Sequence, residues 1–232
     1  MALVVGYFAS AGETEIRALP QFLQKISPNV LWKRCFPAKE KPAPKFRGYI
    51  SPKSTERGTT GHNLVRKIKE RLQKMQTFQD EYDIFLVIDD TDCQNPQEKD
   101  KEFKQIFDRF LIRRWIGLWA LPEIESWFIA DPENSFHKVS ELKQKYVPFI
   151  NKMRNLYSFS SPEDFNNLLR NKNGCHEKLS DIIRKIFETL GVYYKKGKHS
   201  VTLLKNVEPD NIARNCPVFR ERLSRLREEI QC

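Results

Sequence analysis

The chain has 232 residues, of which 40% are hydrophobic and 30% charged, and its formal net charge at pH 7 is +10. Its five cysteines are scattered and form no Cys-x-x-Cys pair, so neither a disulfide framework nor a zinc finger is indicated. No apolar stretch is long enough to span a bilayer and the N-terminus lacks the pattern of a secretory leader, so we expect a cytoplasmic protein that does not enter a membrane.

The first predicted elements are a buried strand and a helix. Residues 2–8 (ALVVGYF) are continuously apolar and rich in β-branched side chains, which is typical of a strand buried on both faces of a parallel sheet. After the turn ASAGETE, apolar residues recur at helical spacing from Ile16 to Ile26, and Pro28 ends the pattern. A second strand is predicted at 30–36.

A basic segment follows the second strand. Between residues 33 and 57, eight basic residues face only two acids, and prolines and glycines forbid a long regular element. Because the charge is concentrated there, we expect a polyanionic partner, of which nucleic acid is the commonest and an anionic membrane or an acidic protein are alternatives. A solvated charged loop is the other interpretation. The candidate phosphate contacts are Lys45, Arg47, Lys53 and Arg57.

The centre of the chain continues the alternation. A helix carries Leu64, Ile68 and Leu72, and a strong strand at 82–88 (YDIFLVI) is followed by a helix at 98–110 and a strand at 115–120. An amphipathic helix is predicted to begin near Pro122. Four strands alternating with helices predict an α/β fold with a doubly wound, mainly parallel sheet over residues 1–131. Short helical patterns after Asp131 predict a helical extension over 132–232 that packs on it.

An acidic cluster ends the strand at 82–88. Asp89, Asp90 and Asp92 repel one another unless a cation neutralises them, and hard carboxylate oxygens suit Mg²⁺ or Mn²⁺. Since side chains alternate along a strand, Asp90 and Asp92 are the predicted metal ligands and Asp89 faces away. A solvated acidic turn that caps the next helix is the alternative.

Acids also follow two other predicted strands. Glu13 and Glu15 come after the first strand, and Glu123 and Glu125 come after the fourth. Ligands of open α/β sheets bind at this end of the strands. The macrodipole of a following helix would also favour Glu13, Glu15 and Glu123 there, whereas Glu125 lies beside apolar residues and requires a partner if it is buried.

The order Gly-Glu-Thr-Glu, Asp-x-Asp and a later glutamate at a strand end resembles the Toprim domain of topoisomerases, primases and OLD-type nucleases. The block from Ile124 to Asp131 (IESWFIAD) and the segment 194–219, with Lys195, Lys198, His199 and Cys216-Pro217-x-Phe219, look like small Toprim-like proteins, RloB-like or uncharacterised, which are often found beside an ATPase. The resemblance implies a Toprim-like fold, metal ligands at Asp90, Asp92 and Glu15, and catalytic roles for Glu13, Glu15 and Glu125.

The chain departs from that family at one position. Ala11 stands where Toprim proteins usually have their first catalytic glutamate, so either Glu13 or Glu15 takes over its role or the centre is weakened. With an intact site, the expected chemistry is metal-assisted cleavage of phosphodiester bonds in DNA or RNA. Besides the basic segment, the predicted nucleic-acid contacts are Lys195, Lys198 and His199, which Lys196 accompanies.

The leading hypothesis is a Mg²⁺-dependent Toprim-type nuclease in a prokaryotic defence or DNA-transaction module. Ala11 motivates a second one, a non-catalytic Toprim-fold subunit that binds nucleic acid or an ATPase. A metal-dependent enzyme acting on a small phosphorylated molecule is a third. The sequence has no P-loop, so an ABC-type or OLD-like ATPase would be a separate partner, and a homo-oligomer is compatible with the sequence.

Overall fold

The computed structural model describes residues 2–10, 12–37, 61–75 and 81–231, with the side chains of 61 and 62 excepted. Its first part alternates strands and helices as predicted from the sequence. The elements are β1 (Val4–Ala9), α1 (Glu13–Ile26), β2 (Leu31–Phe36), α2 (Gly61–Lys74), β3 (Ile84–Asp90), α3 (Pro96–Arg109), β4 (Trp115–Ala120) and α4 (Glu125–Ala130).

Helices dominate the second part. They are α5 (Tyr146–Tyr157), α6 (Phe165–Leu168), α7 (Leu179–Thr189), α8 (Lys198–Asn206), α9 (Pro209–Asn215) and α10 (Pro217–Gln231), with two 3-10 turns at Phe136–Lys138 and Pro162–Asp164. The sequence indicated no strand here, but two-residue strands β5 (Arg170–Asn171) and β6 (Gly174–Cys175) pair as an antiparallel hairpin. They are too short to show a strand pattern in the sequence. Among the described residues, no helix combines the length and the apolar character needed to cross a membrane.

The four long strands form a parallel sheet in the order β2-β1-β3-β4. The α/β class and the parallel sheet predicted from the sequence are therefore confirmed. The register aligns Ala9 with Ile88 and Asp90 with Ala120. Consequently the segments that follow β1, β3 and β4 emerge side by side at one edge of the sheet, where open α/β sheets bind ligands.

Helices cover both faces of the sheet. On one face, Val5, Leu86 and Leu118 belong to a hydrophobic cluster that includes α1, α4 and the helices after residue 131. On the other face, Phe8 and Val87 belong to a second cluster with α2 and α3. Alternate side chains of one strand thus enter different clusters, as strand geometry requires. Helices after residue 131 contact α1 and β4, while the division of the chain into a sheet domain over 1–131 and an extension over 132–232 stays a prediction.

The fourth helix differs from its prediction. The sequence pattern suggested an amphipathic helix near Pro122, but α4 begins at Glu125, is six residues long and has every side chain buried. The reason is that helices on the C-terminal side cover the face that would otherwise meet solvent. Burial of this helix brings a glutamate, Glu125, into the interior of the protein.

Candidate active site at the carboxyl edge of the sheet

A cavity of about 160 Å³ lies where β1, β3 and β4 end, and we call it the acidic cavity. Six of its lining residues carry carboxyl groups and two are lysines. They are Glu13, Glu15, Asp90, Asp92, Glu123 and Glu125, with Lys178 and Lys196. Six carboxylates against two ammonium groups leave an excess of negative charge, so the cavity suits a cation.

The two predicted metal ligands, at the end of β3 and in the turn that follows it, line this cavity together. Asp90 is the last residue of the strand, and its Oδ1 accepts the backbone N–H of Ile124 at 2.9 Å. Asp92 lies beyond the strand with a φ of 49°, a left-handed conformation that aspartate tolerates better than most residues. The turn is fixed to the next strand end, because the N–H of Asp92 donates to the carbonyl of Pro122 at 3.0 Å.

Asp89 faces the other way, as strand alternation predicted. Its Oδ1 accepts the Ser10 hydroxyl at 2.5 Å, and its Oδ2 pairs with the Lys99 ammonium. Lys99 also donates to the carbonyl of Asp90. Both Asp89 and Lys99 are buried, so this pair is a closed internal ion pair and takes no part in the cavity.

Glu125 is the least satisfied group in the acidic cavity. Its side chain is 0% exposed, and neither carboxylate oxygen accepts a hydrogen bond of good geometry from any described residue; its closest charged neighbour is the Lys196 ammonium, 3.4 Å from Oε1. The pKa of Glu125 is raised to about 7, mainly by burial; the charge of Lys196 opposes the rise, and repulsion from Glu123 and Glu15 adds to it. A carboxyl group with a pKa near neutrality can both hold and release a proton at physiological pH.

Repulsion within the cavity also affects the other acids. Burial raises the pKa of Asp90 well above its ordinary value, and Glu15, Glu123 and Glu125 add to the rise. The pKa values of Glu15 and Asp92 are raised as well, in both cases mainly by burial. Ionising all of these groups together is therefore unfavourable without a bound cation.

Glu123 has a larger role than a helix N-terminal acid. Its side chain is 2% exposed; one oxygen accepts the N–H of Ser180 at 2.9 Å, and the other lies 3.8 Å from the ammonium groups of Lys178 and Lys196. The C-terminal extension thus supplies both lysines of the cavity. No local pattern indicates this contact, because residues 178 and 196 are more than fifty positions from Glu123.

Lys196 is the principal counter-charge. Its Nζ lies 3.4 Å from Oε1 of Glu125 and donates to the Ser180 hydroxyl at 3.0 Å, while its side chain is half exposed. Burial by itself would lower the pKa of Lys196, but the neighbouring carboxylates of Glu125, Glu123 and Asp90 outweigh it and raise that pKa. Lys196 therefore remains protonated and neutralises part of the cluster.

Glu13 and Glu15 occupy the first turn of α1 but differ in position. Glu13 lies at the rim of the cavity, is largely exposed and forms an ion pair with Arg17 at 2.8 Å. Glu15 folds back over Gly12, where a Cβ atom would meet its Oε2 at 2.2 Å, and points its charge towards the other acids. Of the two alternatives for the role of the missing glutamate, Glu15 has the better position. Ala11 itself lies outside the described residues.

Only some of the predicted nucleic-acid contacts lie among the described residues. Lys45, Arg47, Lys53 and Arg57 lie outside the described residues. Lys195 is exposed, and Lys198 forms an ion pair with Glu141 at 3.0 Å. His199 is buried, and its Nδ1 accepts the backbone N–H of Lys195 at 3.1 Å, so its ring has an internal structural role. Nucleic-acid binding by these residues stays a prediction.

The cysteine prediction is wrong for one pair. Cys93, directly after Asp92, forms a disulfide with Cys175 of β6, 82 residues later. The free thiols of Cys35 and Cys216 are buried. The separation along the chain concealed the pairing, which ties the turn that carries Asp92 to the β5–β6 hairpin.

The donor set of the acidic cavity fits a hard divalent cation, because all six acids offer oxygen ligands and the two oxygens of Glu125 accept no hydrogen bond of good geometry within the described residues. In the described part of the chain, however, no three His, Cys, Asp or Glu side chains already stand in an arrangement that could hold a metal ion. The ammonium of Lys196, 3.4 Å from Oε1 of Glu125, supplies a positive charge among these carboxylates.

Comparison with known proteins gives one family. The profile described as "Domain of unknown function (DUF4276)" matches residues 12–227. No curated protein and no solved structure matches the chain. The matched range includes every residue named in the acidic cavity.

Proposed function

We propose that this chain, which belongs to the DUF4276 family, is a divalent-metal-dependent phosphodiesterase of the Toprim type that acts on nucleic acid. The observation that carries the proposal is Glu125, whose two buried oxygens have no hydrogen-bond partner among the described residues and face a cavity with five other carboxyl groups. A structural acid would be expected to have such partners. A carboxylate kept without them at a ligand-binding edge is typical of a functional site.

Mg²⁺ or Mn²⁺, held by Asp90, Asp92 and Glu15, would supply a Lewis acid that polarises a phosphoryl oxygen and activates water. Glu125 would take up or release a proton, because its pKa lies near neutrality. Asp90 also fixes the start of α4 through the N–H of Ile124. Lys196 would stabilise negative charge that develops on the phosphate.

The substrate class rests on the basic composition of the chain. A net charge of +10 favours a polyanion, and the basic segment at residues 33–57 contains most of the excess. DNA and RNA both satisfy this requirement. A role beside a separate ATPase in a defence or DNA-transaction module, with the chain alone or as a homo-oligomer, belongs to the same proposal. So does a cytoplasmic location, although the Cys93–Cys175 disulfide weighs against a strongly reducing one.

A cleavage assay tests the proposal. Purified protein is incubated with plasmid, single-stranded DNA and RNA in Mg²⁺, Mn²⁺ or chelator. Asp90→Asn and Glu125→Gln should each lower the rate at least about 100-fold, since each removes a group placed at the reacting centre. Asp108→Asn is the matched control, because Asp108 is an exposed acid on α3 that pairs with Lys104 at 2.5 Å, and it should cleave at the wild-type rate.

Equal rates for wild type and Asp90→Asn, or undiminished cleavage in chelator, would overturn the proposal. If the wild type cleaves nothing, Mn²⁺ binding is measured by calorimetry. Binding that Asp90→Asn abolishes and Asp108→Asn preserves would support the metal site, and no binding would remove its basis.

One observation favours the second function, a non-catalytic subunit. The ammonium of Lys196, 3.4 Å from Glu125, already supplies a counter-charge without a metal ion. In that case nucleic acid or an ATPase partner should bind equally well to wild type, Asp90→Asn and Glu125→Gln. A binding defect in both variants as large as their defect in metal binding would exclude it.

A further inference from the structure

A second cavity of about 340 Å³ adjoins the segment that carries the metal-site aspartates, and we call it the polar cavity. Asp90 and Asp92 line the acidic cavity, whereas Asn95, Pro96 and Gln97, a few residues later, line the polar one. Its volume lies in the range of small-molecule sites. The two cavities therefore share one short stretch of chain.

The polar cavity has apolar surfaces and two carboxylates that are already in use. Leu121, Pro217 and Val218 contribute the apolar part. Glu163 accepts the N–H groups of Val218 and Phe219 at 2.8 and 2.9 Å, which caps the start of α10. Asp164 accepts the N–H groups of two preceding serines. Neither acid is left over for a cation, and the N-terminus of α10 is already neutralised.

Three polar side chains of the lining form no such hydrogen bonds within the described part of the chain. The amides of Gln97 and Asn167 and the guanidinium of Arg170 are exposed and form no side-chain hydrogen bond or ion pair with any residue that the structure describes. An amide offers a donor and an acceptor, which is what the edge of a nucleobase requires. A free guanidinium beside it suits a phosphate. The apolar surface of Leu121 and Val218 suits the flat face of a base.

A buried asparagine connects this cavity to the acidic one. Asn166 is 4% exposed and lines the polar cavity; its Oδ1 accepts the hydroxyl of Thr91 at 2.6 Å, and its Nδ2 donates to the carbonyl of Gln94 at 3.1 Å. Thr91 stands between Asp90 and Asp92. A ligand in the polar cavity would thus lie one hydrogen-bonded side chain away from the proposed metal ligands.

We propose that the polar cavity binds one nucleotide of the strand that the acidic cavity cleaves. Its base lies against Leu121 and Val218, the base edge bonds to Gln97 and Asn167, and its phosphate pairs with Arg170. The assignment to a cleaved strand rests on the proposed function. Nucleotide recognition itself rests only on the lining of the cavity, so the two can fail separately.

Binding without metal tests it. In chelator, where metal-dependent cleavage does not occur, the four mononucleotides, inorganic phosphate and short single-stranded DNA and RNA are titrated into the full chain by calorimetry. Asn167→Ala and Arg170→Ala should each weaken nucleotide and oligonucleotide binding by about tenfold or more, the value of a lost hydrogen bond to a charged or base group. Lys172→Ala and Asn151→Ala are the controls, because they are an exposed cation of the same hairpin and an exposed asparagine of α5, and both should bind as wild type does.

Three outcomes count against the proposal. Phosphate binding as tight as nucleotide binding would show that no base is recognised. Mononucleotide binding that oligonucleotides cannot displace would assign the cavity to a free nucleotide and overturn the strand assignment. Identical affinities for wild type and Arg170→Ala would remove the site altogether. If Asp90→Asn retains cleavage while nucleotide binding still depends on Arg170, the proposed function fails and the nucleotide site stands.

Discussion

Asp89 and Glu125 are two buried carboxylates near the end of β3, and each faces a lysine in a different environment. Asp89 pairs with Lys99 on one side of the sheet, and both side chains are at most 3% exposed. Their polar groups are in use, because Asp89 also accepts from Ser10 and Lys99 also donates to a carbonyl. On the other side, Glu125 beside Asp90 faces Lys196, whose side chain is 51% exposed. The carboxylate oxygens of Glu125 accept no hydrogen bond of good geometry within the described part of the chain.

This difference in burial and hydrogen bonding distinguishes a structural ion pair, Asp89–Lys99, from an ion pair in a ligand-binding site, Glu125–Lys196. A buried pair is tolerated only when its geometry and additional hydrogen bonds offset desolvation, and the Asp89–Lys99 pair meets that condition. The Glu125–Lys196 pair does not. Because Lys196 reaches solvent, its ammonium can turn outward when a cation takes over its charge beside the carboxylates. We infer that the first pair stabilises the fold and the second keeps the cavity ready for a cation.

Replacing each lysine in turn should produce the largest difference in the free energy of unfolding. Lys99→Met leaves Asp89 buried without a counter-charge and should lower the free energy of unfolding by about 3–5 kcal/mol. Lys196→Met should lower it by less than about 1.5 kcal/mol, because Glu125, whose pKa is already about 7, can take up a proton when its counter-charge is lost. Urea unfolding of both variants at pH 7.5 measures the two losses. Equal losses would contradict the distinction between the pairs.

Opening the disulfide should have the next largest effect. Cys93→Ser frees the turn that carries Asp92 from the β5–β6 hairpin and should lower the free energy of unfolding by about 2–4 kcal/mol, because a long loop is no longer closed in the unfolded chain. Unfolding is measured with and without reductant. Reductant should destabilise the wild type and leave Cys93→Ser unchanged, which makes the variant its own control. If reductant does not change the free energy of unfolding of the wild type, the Cys93–Cys175 disulfide is not formed in solution.

Much of this arrangement followed from the sequence. The continuous apolar runs and the alternation of strands with helices gave the parallel sheet, and strand alternation separated Asp89 from Asp90. The strand ends then brought Glu15, Asp90 and Glu125 to one edge. These inferences worked because they depend on local periodicity and on the topology of open sheets.

Other parts of the site depend on contacts between distant segments, which no local pattern encodes. Lys178 and Lys196 reach the cavity from the C-terminal extension, and Cys175 reaches Cys93 across 82 residues. One missed partner did leave a signal. Lys99 lies four residues before Phe103 on the buried face of α3, and a lysine at that spacing indicates a buried partner.

The pH dependence of stability sharpens the comparison with a smaller effect. Glu125 has an ordinary pKa of 4.5 and about 7 in the folded chain, so between these values the folded state binds the extra proton. By linkage, stability falls as the pH rises from about 4.5 to 7 and then stays low. Glu125→Gln removes that penalty and should raise the free energy of unfolding by about 2 kcal/mol at pH 8. This gain is smaller than the free energy equivalent of the whole pKa shift, because Lys196 loses its ion-pair partner.

Thermal or urea unfolding of wild type and Glu125→Gln at pH 4.5, 6 and 8 measures this effect. The variant should match the wild type at the lowest pH and exceed it increasingly above, whereas Asp108→Asn should show no such trend. A constant difference across the three values would mean that Glu125 titrates normally and that burial does not hold its proton. Because a divalent cation would favour the ionised carboxylates, adding Mn²⁺ at pH 8 should raise the stability of the wild type and narrow the gap.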